Sequence, residues 1–178
     1  MTPKRPRPSL DSDRLREIAL HYVGRYATSR AKLLAYLDRK LRERGWDGDT
    51  APDPQGLVER FAELGYVDDA GFATMKGAAM ARRGYGRQRV AQALRGAGIA
   101  DEDREQADAQ AEAARWFAAE AFAKRKRAGP YAAQVPDRAA REKMIAAFLR
   151  AGHGYEMARK WVDAMPGEPP QADDGEGR

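Results

Sequence analysis

Apolar residues recur three and four positions apart along most of the chain, and nowhere do they alternate in steps of two over a useful length. The first spacing puts a stripe on one face of a helix, whereas the second would mark a strand. Leu15, Ile18, Ala19, Tyr22, Val23 and Tyr26 form the first stripe and predict a helix over about 15–26. Thr28 or Ser29 is placed to cap a second helix, which carries Leu33, Leu34, Leu37 and Leu41 and stops at Gly45. Asp53 followed by Pro54 opens a third, because an aspartate can accept from a free backbone N–H and proline at the first helical position has no N–H to leave unpaired. Leu57, Val58, Phe61 and Leu64 follow, and Gly65 ends it. The pattern then restarts. Asp68 or Asp69 caps a helix with Phe72, Met75, Ala79 and Met80 that ends at Gly84. A short helix runs from Gly86 to Arg95 with Val90, Ala93 and Leu94 inward. Asp101 caps an alanine-rich helical stretch reaching Lys126, with a break expected near Gln110 and with Trp116, Phe117 and Phe122 anchoring its later part. Gly129, Pro130 and Pro136 mark a loop. Asp137 opens a helix with Met144, Ile145, Phe148 and Leu149 that stops at Gly152, and the last helix holds Tyr155, Ala158, Trp161, Val162 and Met165. The prediction is an all-α chain of about nine helices.

Three segments overlay one another: AKLLAYLDRKLRERGWDGD from Ala31, RQRVAQALRGAGIADED from Arg87 and REKMIAAFLRAGHGYEM from Arg141. Each has a basic helix start, an apolar stripe, a glycine stop and a further helix. Each is therefore the joint between the second and third helices of a three-helix unit of roughly 50 residues. Such a unit buries little alone, so stacked units would share interfaces as an elongated array of three tandem three-helix repeats. The expected division is a basic disordered arm over 1–12, units over 13–66, 67–110 and 111–165, and a disordered acidic tail over 166–178.

Composition narrows the chemistry. The chain lacks cysteine, which excludes disulfides, thiolate zinc sites and thiol nucleophiles. A reducing, cytoplasmic setting is expected. There is no apolar run near the ~20 residues of a membrane span, so no membrane partner is expected. Its two histidines, His21 and His153, lie outside any metal-ligand spacing and are expected at surface or boundary positions. RRGYGRQR, residues 82–89, lacks the lysine and hydroxyl ending of a phosphate-binding loop and reads as a tight helix–helix turn. The Asp68–Asp69 pair reads as a helix cap rather than a catalytic dyad. No catalytic, metal or cofactor site is therefore expected, and the chain should act by binding, as a monomer. The net charge is +5 with a pI of about 9.5. Arg82, Arg83, Arg87, Arg89 and Arg95 cluster without an acid among them, and Lys124, Arg125, Lys126 and Arg127 run consecutively, that run being expected to fray into solvent. Asp101, Glu102, Asp103 and Glu105 stand against them around Arg104. Segregated charge of this kind suits a polyanionic partner. The five arginines with Lys124 and Arg125 are thus the candidates for a partner or DNA surface. Tyr85 could stack on a base or pack in its turn.

The stretch GYVDDAGFA, residues 65–73, resembles the Gly-Tyr-aliphatic-Asp-Asp-x-x-Phe-Ala signature of the RecX family. ALHYVGRYATSRAKLLAYLDRKL (19–41) is similar to that family's opening helices, RRGYGRQRVAQALRGAGI (82–99) to its central block, and REKMIAAFLRAGHGYEMARKWV (141–162) to its closing repeat. His153 stands where the family usually has an aromatic, and Val67 where leucine is commoner. The resemblance implies three tandem three-helix repeats. It also implies a cytoplasmic regulator of the RecA recombinase that binds the RecA–DNA filament and restrains its growth, ATP hydrolysis, strand exchange and repressor co-cleavage. DNA, single- or double-stranded, would be reached directly or through the filament. In that frame Gly65, Tyr66, Asp68, Asp69, Phe72, Leu94 and Ile99 are assigned to structure. The alternative is a helical protein that binds DNA without a recombinase partner.

Overall fold

The structure is a computed structural model, and it describes residues 8–172. Those residues form nine α-helices: α1 (Ser12–Arg25), α2 (Arg30–Arg44), α3 (Pro54–Glu63), α4 (Asp69–Arg82), α5 (Arg87–Arg95), α6 (Asp101–Ala113), α7 (Arg115–Lys126), α8 (Arg138–Arg150) and α9 (Tyr155–Val162). A 3₁₀ turn at Gly129–Tyr131 joins α7 to α8. The only β pairing among the described residues is a parallel bridge between Leu10 and Trp46. In each successive trio, the second and third helices pack on one another: α2 on α3, α5 on α6, α8 on α9. The all-α class and the three-helix repeats read from the periodicity are what the chain adopts.

The chain divides into two compact units, up to Phe72 and from Ala73 onward. The first buries Leu10, Leu15, Ala19, Leu33, Leu37, Val58, Phe61 and Val67 together. Leu10 corrects the expected arm, because it is fully buried. Its N–H donates to Gly45 O at 3.0 Å, and its carbonyl accepts from Asp47 N at 2.8 Å. Arg44 Nε donates to Pro8 O at 2.8 Å, and Asp11 caps α1 through Arg14 N at 2.8 Å. Thus residues 8–12 belong to the packed unit, while 1–7 of the expected arm lie outside the described residues. The expected tail is corrected in the same way near its start: Gly167 N donates to Pro130 O at 2.9 Å. Residues 173–178 lie outside the described residues.

The second unit has its largest buried side chains in the last trio. Phe122, Ile145, Phe148, Trp161 and Val162 pack with alanines of α7, α8 and α9. Phe122 meets Phe148 edge to face with ring centroids 4.6 Å apart. The middle trio buries smaller residues: Val90, Leu94, Ala97, Ile99, Ala107 and Ala111. The break between the sixth and seventh helices falls at Ala114 rather than near Gln110, so a division at 110/111 would cut α6. Asp101 does not cap α6. The cap position is Ala100, and Asp101 pairs instead with Arg104 at 2.8 Å. Arg104, which is buried, also donates to Ile99 O at 3.3 Å.

Five helices end alike. The N–H of Tyr66, Tyr85, Ile99, Ala128 and His153 each reaches back five residues, to the carbonyl of Phe61, Met80, Leu94, Ala123 and Phe148. This closure needs a left-handed residue just before the donor. Glycine supplies it four times, and at α7 it is Arg127, with φ 51°. The run Lys124–Arg127 therefore does not fray: it is the last turn and the cap of α7.

Candidate interaction face

The start of α5 is set by a close backbone approach to the end of α8. Gly86 N donates to Ala151 O at 2.9 Å and Gln88 N to Gly152 O at 3.2 Å. These bonds serve amides that a helix start otherwise leaves unpaired. A Cβ on Gly86 would sit 2.3 Å from Gly152 O, and one on Gly152 would sit 2.3 Å from Arg89 N. The glycines of RRGYG and RAGHG thus belong to one joint.

His153 closes that joint, and its placement corrects the expected surface position. It is 3% exposed, and its Nε2 lies 3.0 Å from Gly84 O, so Nε2 carries the proton and donates. Its ring packs at 5.5 Å from Phe122 and 5.3 Å from Phe148, where an aromatic side chain would pack. Burial pushes its pKa below 6.5; the Gly84 carbonyl acts the other way, and the charge of Arg125 adds to the depression. A histidine kept neutral in the fold takes up protons more readily once unfolded. Its contribution to stability is therefore complete above pH 6.5 and declines as the pH falls toward the folded-state value. The melting temperature should drop below pH 6.5 more steeply for the native chain than for His153→Phe. Parallel pH profiles would show that His153 is not the group responsible.

The joint aims α5. Val90 and Leu94 point inward, and Arg87, Arg89 and Arg95 are exposed. Arg87 and Arg95 line an open cleft of about 510 Å3 with Arg115, Glu112, Gln88 and Met157. An adjoining hollow of about 270 Å3 takes in Arg89, Arg95 and Arg150. Sequence reasoning singled out neither Arg115 nor Arg150, and the structure brings both to this face. Glu112 bridges the cleft: it meets Arg115 at 2.5 Å and Arg87 at 3.0 Å. The hydrogen bond from Arg115, and then that from Arg87, hold its carboxyl below the ordinary carboxylate range against partial burial.

The other sequence candidates divide. Arg82 and Arg83 are exposed at the end of α4. Arg125 turns inward, donating to Arg83 O and lying over Tyr85 at 5.3 Å and Phe122 at 5.0 Å. Tyr85 accordingly packs in its turn, against the core of the last trio. Lys124 pairs with Glu120 at 2.8 Å, and Glu120 also accepts from Tyr131 Oη at 2.8 Å. These two cations are held by the fold.

A family model described as the second three-helix domain of RecX matches residues 68–107. The chain is 33% identical over 172 residues to the regulatory protein RecX of Myxococcus xanthus (strain DK1622), covering 92% of this chain and 91% of that one. The chain belongs to the RecX family. A RecX regulatory protein from Mycobacterium sp. (strain JLS) is 36% identical over 97 residues, 53% of this chain and 51% of the relative. The crystal structure of RecX from Lactobacillus salivarius matches with a TM-score of 0.61 at 20% identity, over 82% of this chain and 90% of that one. At that identity the likeness concerns the fold alone.

In this RecX-family chain the motif GYVDDAGFA has a local physical meaning. Gly65 is the left-handed residue ending α3, and Tyr66, half-exposed, meets Phe61 edge-on at 5.4 Å. Asp68 caps α4 by accepting from Gly71 N at 2.9 Å. Asp69 serves a different helix: it is buried and accepts from Arg30 N, the first residue of α2, at 2.9 Å. Phe72 is buried, with Lys32 Nζ 4.9 Å above its ring. Leu94 and Ile99 are buried in the middle trio. Among the described residues no group of three or more acidic or histidine side chains could hold a metal ion, and no helix is long and apolar enough to cross a membrane.

Proposed function

We propose that this RecX-family chain regulates the RecA recombinase by binding its filament on DNA, with no chemical step of its own. The observation that carries the reading is the 33% identity to a regulatory protein RecX along 92% of the chain. The arginine face of α5 supports it, because exposed guanidiniums beside open hollows suit phosphates or carboxylates, which they can grip with paired hydrogen bonds. Binding there would restrain filament growth, ATP hydrolysis, strand exchange and repressor co-cleavage.

The test is RecA ATP hydrolysis on single-stranded DNA with increasing amounts of the protein. Inhibition well below one molecule per recombinase monomer supports capture of the filament, since competition for DNA would need far more. No effect at equal amounts removes the recombinase from the reading. Arg87→Ala with Arg89→Ala should raise the amount needed for half inhibition by roughly tenfold, as lost charge contacts at an interface do. Helicity and thermal unfolding should stay unchanged, because the Arg87–Glu112 pair is largely exposed and such pairs contribute about 0–1 kcal/mol. An unaltered inhibition curve would take this face out of the interface.

The exposed guanidiniums also favour a second reading, direct binding to DNA without a recombinase. That reading requires affinity for naked DNA that falls steeply with salt, by roughly one unit of log slope per phosphate contacted.

A further inference from the structure

The first unit carries a different surface, outside the arginine face and the RecX motif. His21, Tyr22, Arg25 and Tyr26 of α1 and its cap, with Tyr36, Arg39 and Lys40 of α2, line an open hollow of about 430 Å3. Tyr22 stacks on Tyr36 with centroids 4.2 Å apart and planes 20° apart, and Tyr26 leans on Tyr22 at 5.3 Å. Cations lie over these rings: Arg25 at 5.8 Å from Tyr26, Arg39 and Lys40 at 5.5 and 5.7 Å from Tyr36. No acid lines the hollow. The nearest, Glu43, meets Lys40 at 2.5 Å and Arg39 at 3.7 Å from one side. Tyr26 is 51% exposed, so packing alone does not account for an aromatic there.

We propose that this hollow binds single-stranded nucleic acid, with a base stacked on Tyr26 and neighbouring phosphates held by Arg25, Arg39 and Lys40. The ligand must offer flat π faces and negative charge at short intervals, and an unpaired strand offers both. A duplex already has its bases stacked on each other. An acidic peptide would use the cations and leave the tyrosines idle. A cationic ligand, the usual guest of aromatic cages, is repelled by three positive side chains.

The experiment is fluorescence anisotropy of a fluorescein-labelled oligothymidylate and of a duplex of equal length, with the full chain. Tyr26→Ala should weaken single-strand binding by about tenfold, within the range of one lost stacking contact, and leave the duplex unaffected. Tyr26→Phe keeps the ring and should bind as the native chain does. Arg25→Ala with Arg39→Ala should reduce the salt slope by about one unit. Photocrosslinking of an iodouracil-substituted strand should label the peptide holding Tyr22 and Tyr26. Native affinity in Tyr26→Ala, crosslinks confined to residues 82–95, or no single-strand binding by the native chain would each overturn the proposal. The hydrolysis assay decides the RecA reading separately, and it can succeed where this one fails.

Discussion

Gly152→Ala should lower the melting temperature by roughly 6–12 °C, from a cost of about 3 kcal/mol spread over a chain of this size. Two causes add. At φ +90° a side chain is strained wherever it has room, and here the new Cβ would lie 2.3 Å from Arg89 N and 2.9 Å from Arg89 Cα. Those are backbone atoms and cannot swing aside, so α5 must part from the end of α8. Any activity that depends on Arg87 and Arg89 should fall with it. Gly154→Ala is the internal control, two residues on. Its φ is −68°, and nothing lies within 4 Å of an added Cβ. Thermal scans of the two variants decide the matter, and equal melting temperatures would mean that the joint is looser than its geometry.

Asp69→Ala should cost about 2–3 kcal/mol, against about 1 kcal/mol for its neighbour Asp68→Ala. Asp68 is an exposed cap, and water can replace it at Gly71 N. Asp69 is 4% exposed, and its partner Arg30 N is the first amide of α2. Ser29 Oγ already accepts from Lys32 N at 3.3 Å, so it does not also serve Arg30. Removing the carboxylate leaves a poorly hydrated amide unpaired, which costs more than an exposed bond returns. Urea midpoints for the two variants measure the difference. A larger loss in Asp68→Ala would reverse the roles assigned here.

The helical period carried most of the fold, because each stripe of Leu, Val and Phe needs only local spacing to be seen. Asp53–Pro54 marks the start of α3 to the residue. What local spacing misses is whatever a distant segment decides. Leu10 follows a proline-rich stretch with no stripe of its own, and only its pairing across to Gly45 and Asp47 makes it core. His153 sits between two glycines, and its burial depends on Gly84 and Phe122, far back in the chain. Two adjacent aspartates look interchangeable as caps until one is seen to reach another helix. The site shows the same division. Arg87, Arg89 and Arg95 follow from the inward pointing of Val90 and Leu94. Arg115 and Arg150 are lone cations on alanine-rich helices, and a tertiary joint brings them to the cleft. A charge run such as Lys124–Arg127 says nothing of Arg83 O or Glu120, which decide where Arg125 and Lys124 end up.

The middle trio closes on small residues. A Cβ added to Gly77 of α4 would meet Val90 Cγ1 at 3.4 Å and Ala107 Cβ at 3.7 Å. Helices that approach through glycine and alanine remove little apolar area from water, while the trios on either side bury leucines, phenylalanines and a tryptophan. Opening α4–α6 locally should therefore take less free energy than opening its neighbours, and its amides should exchange with deuterium first. The arginines of α5 thus ride on the softest stretch of the chain. A partner that grips them would also tighten the helix beneath, and slowed exchange in α5 would report its arrival.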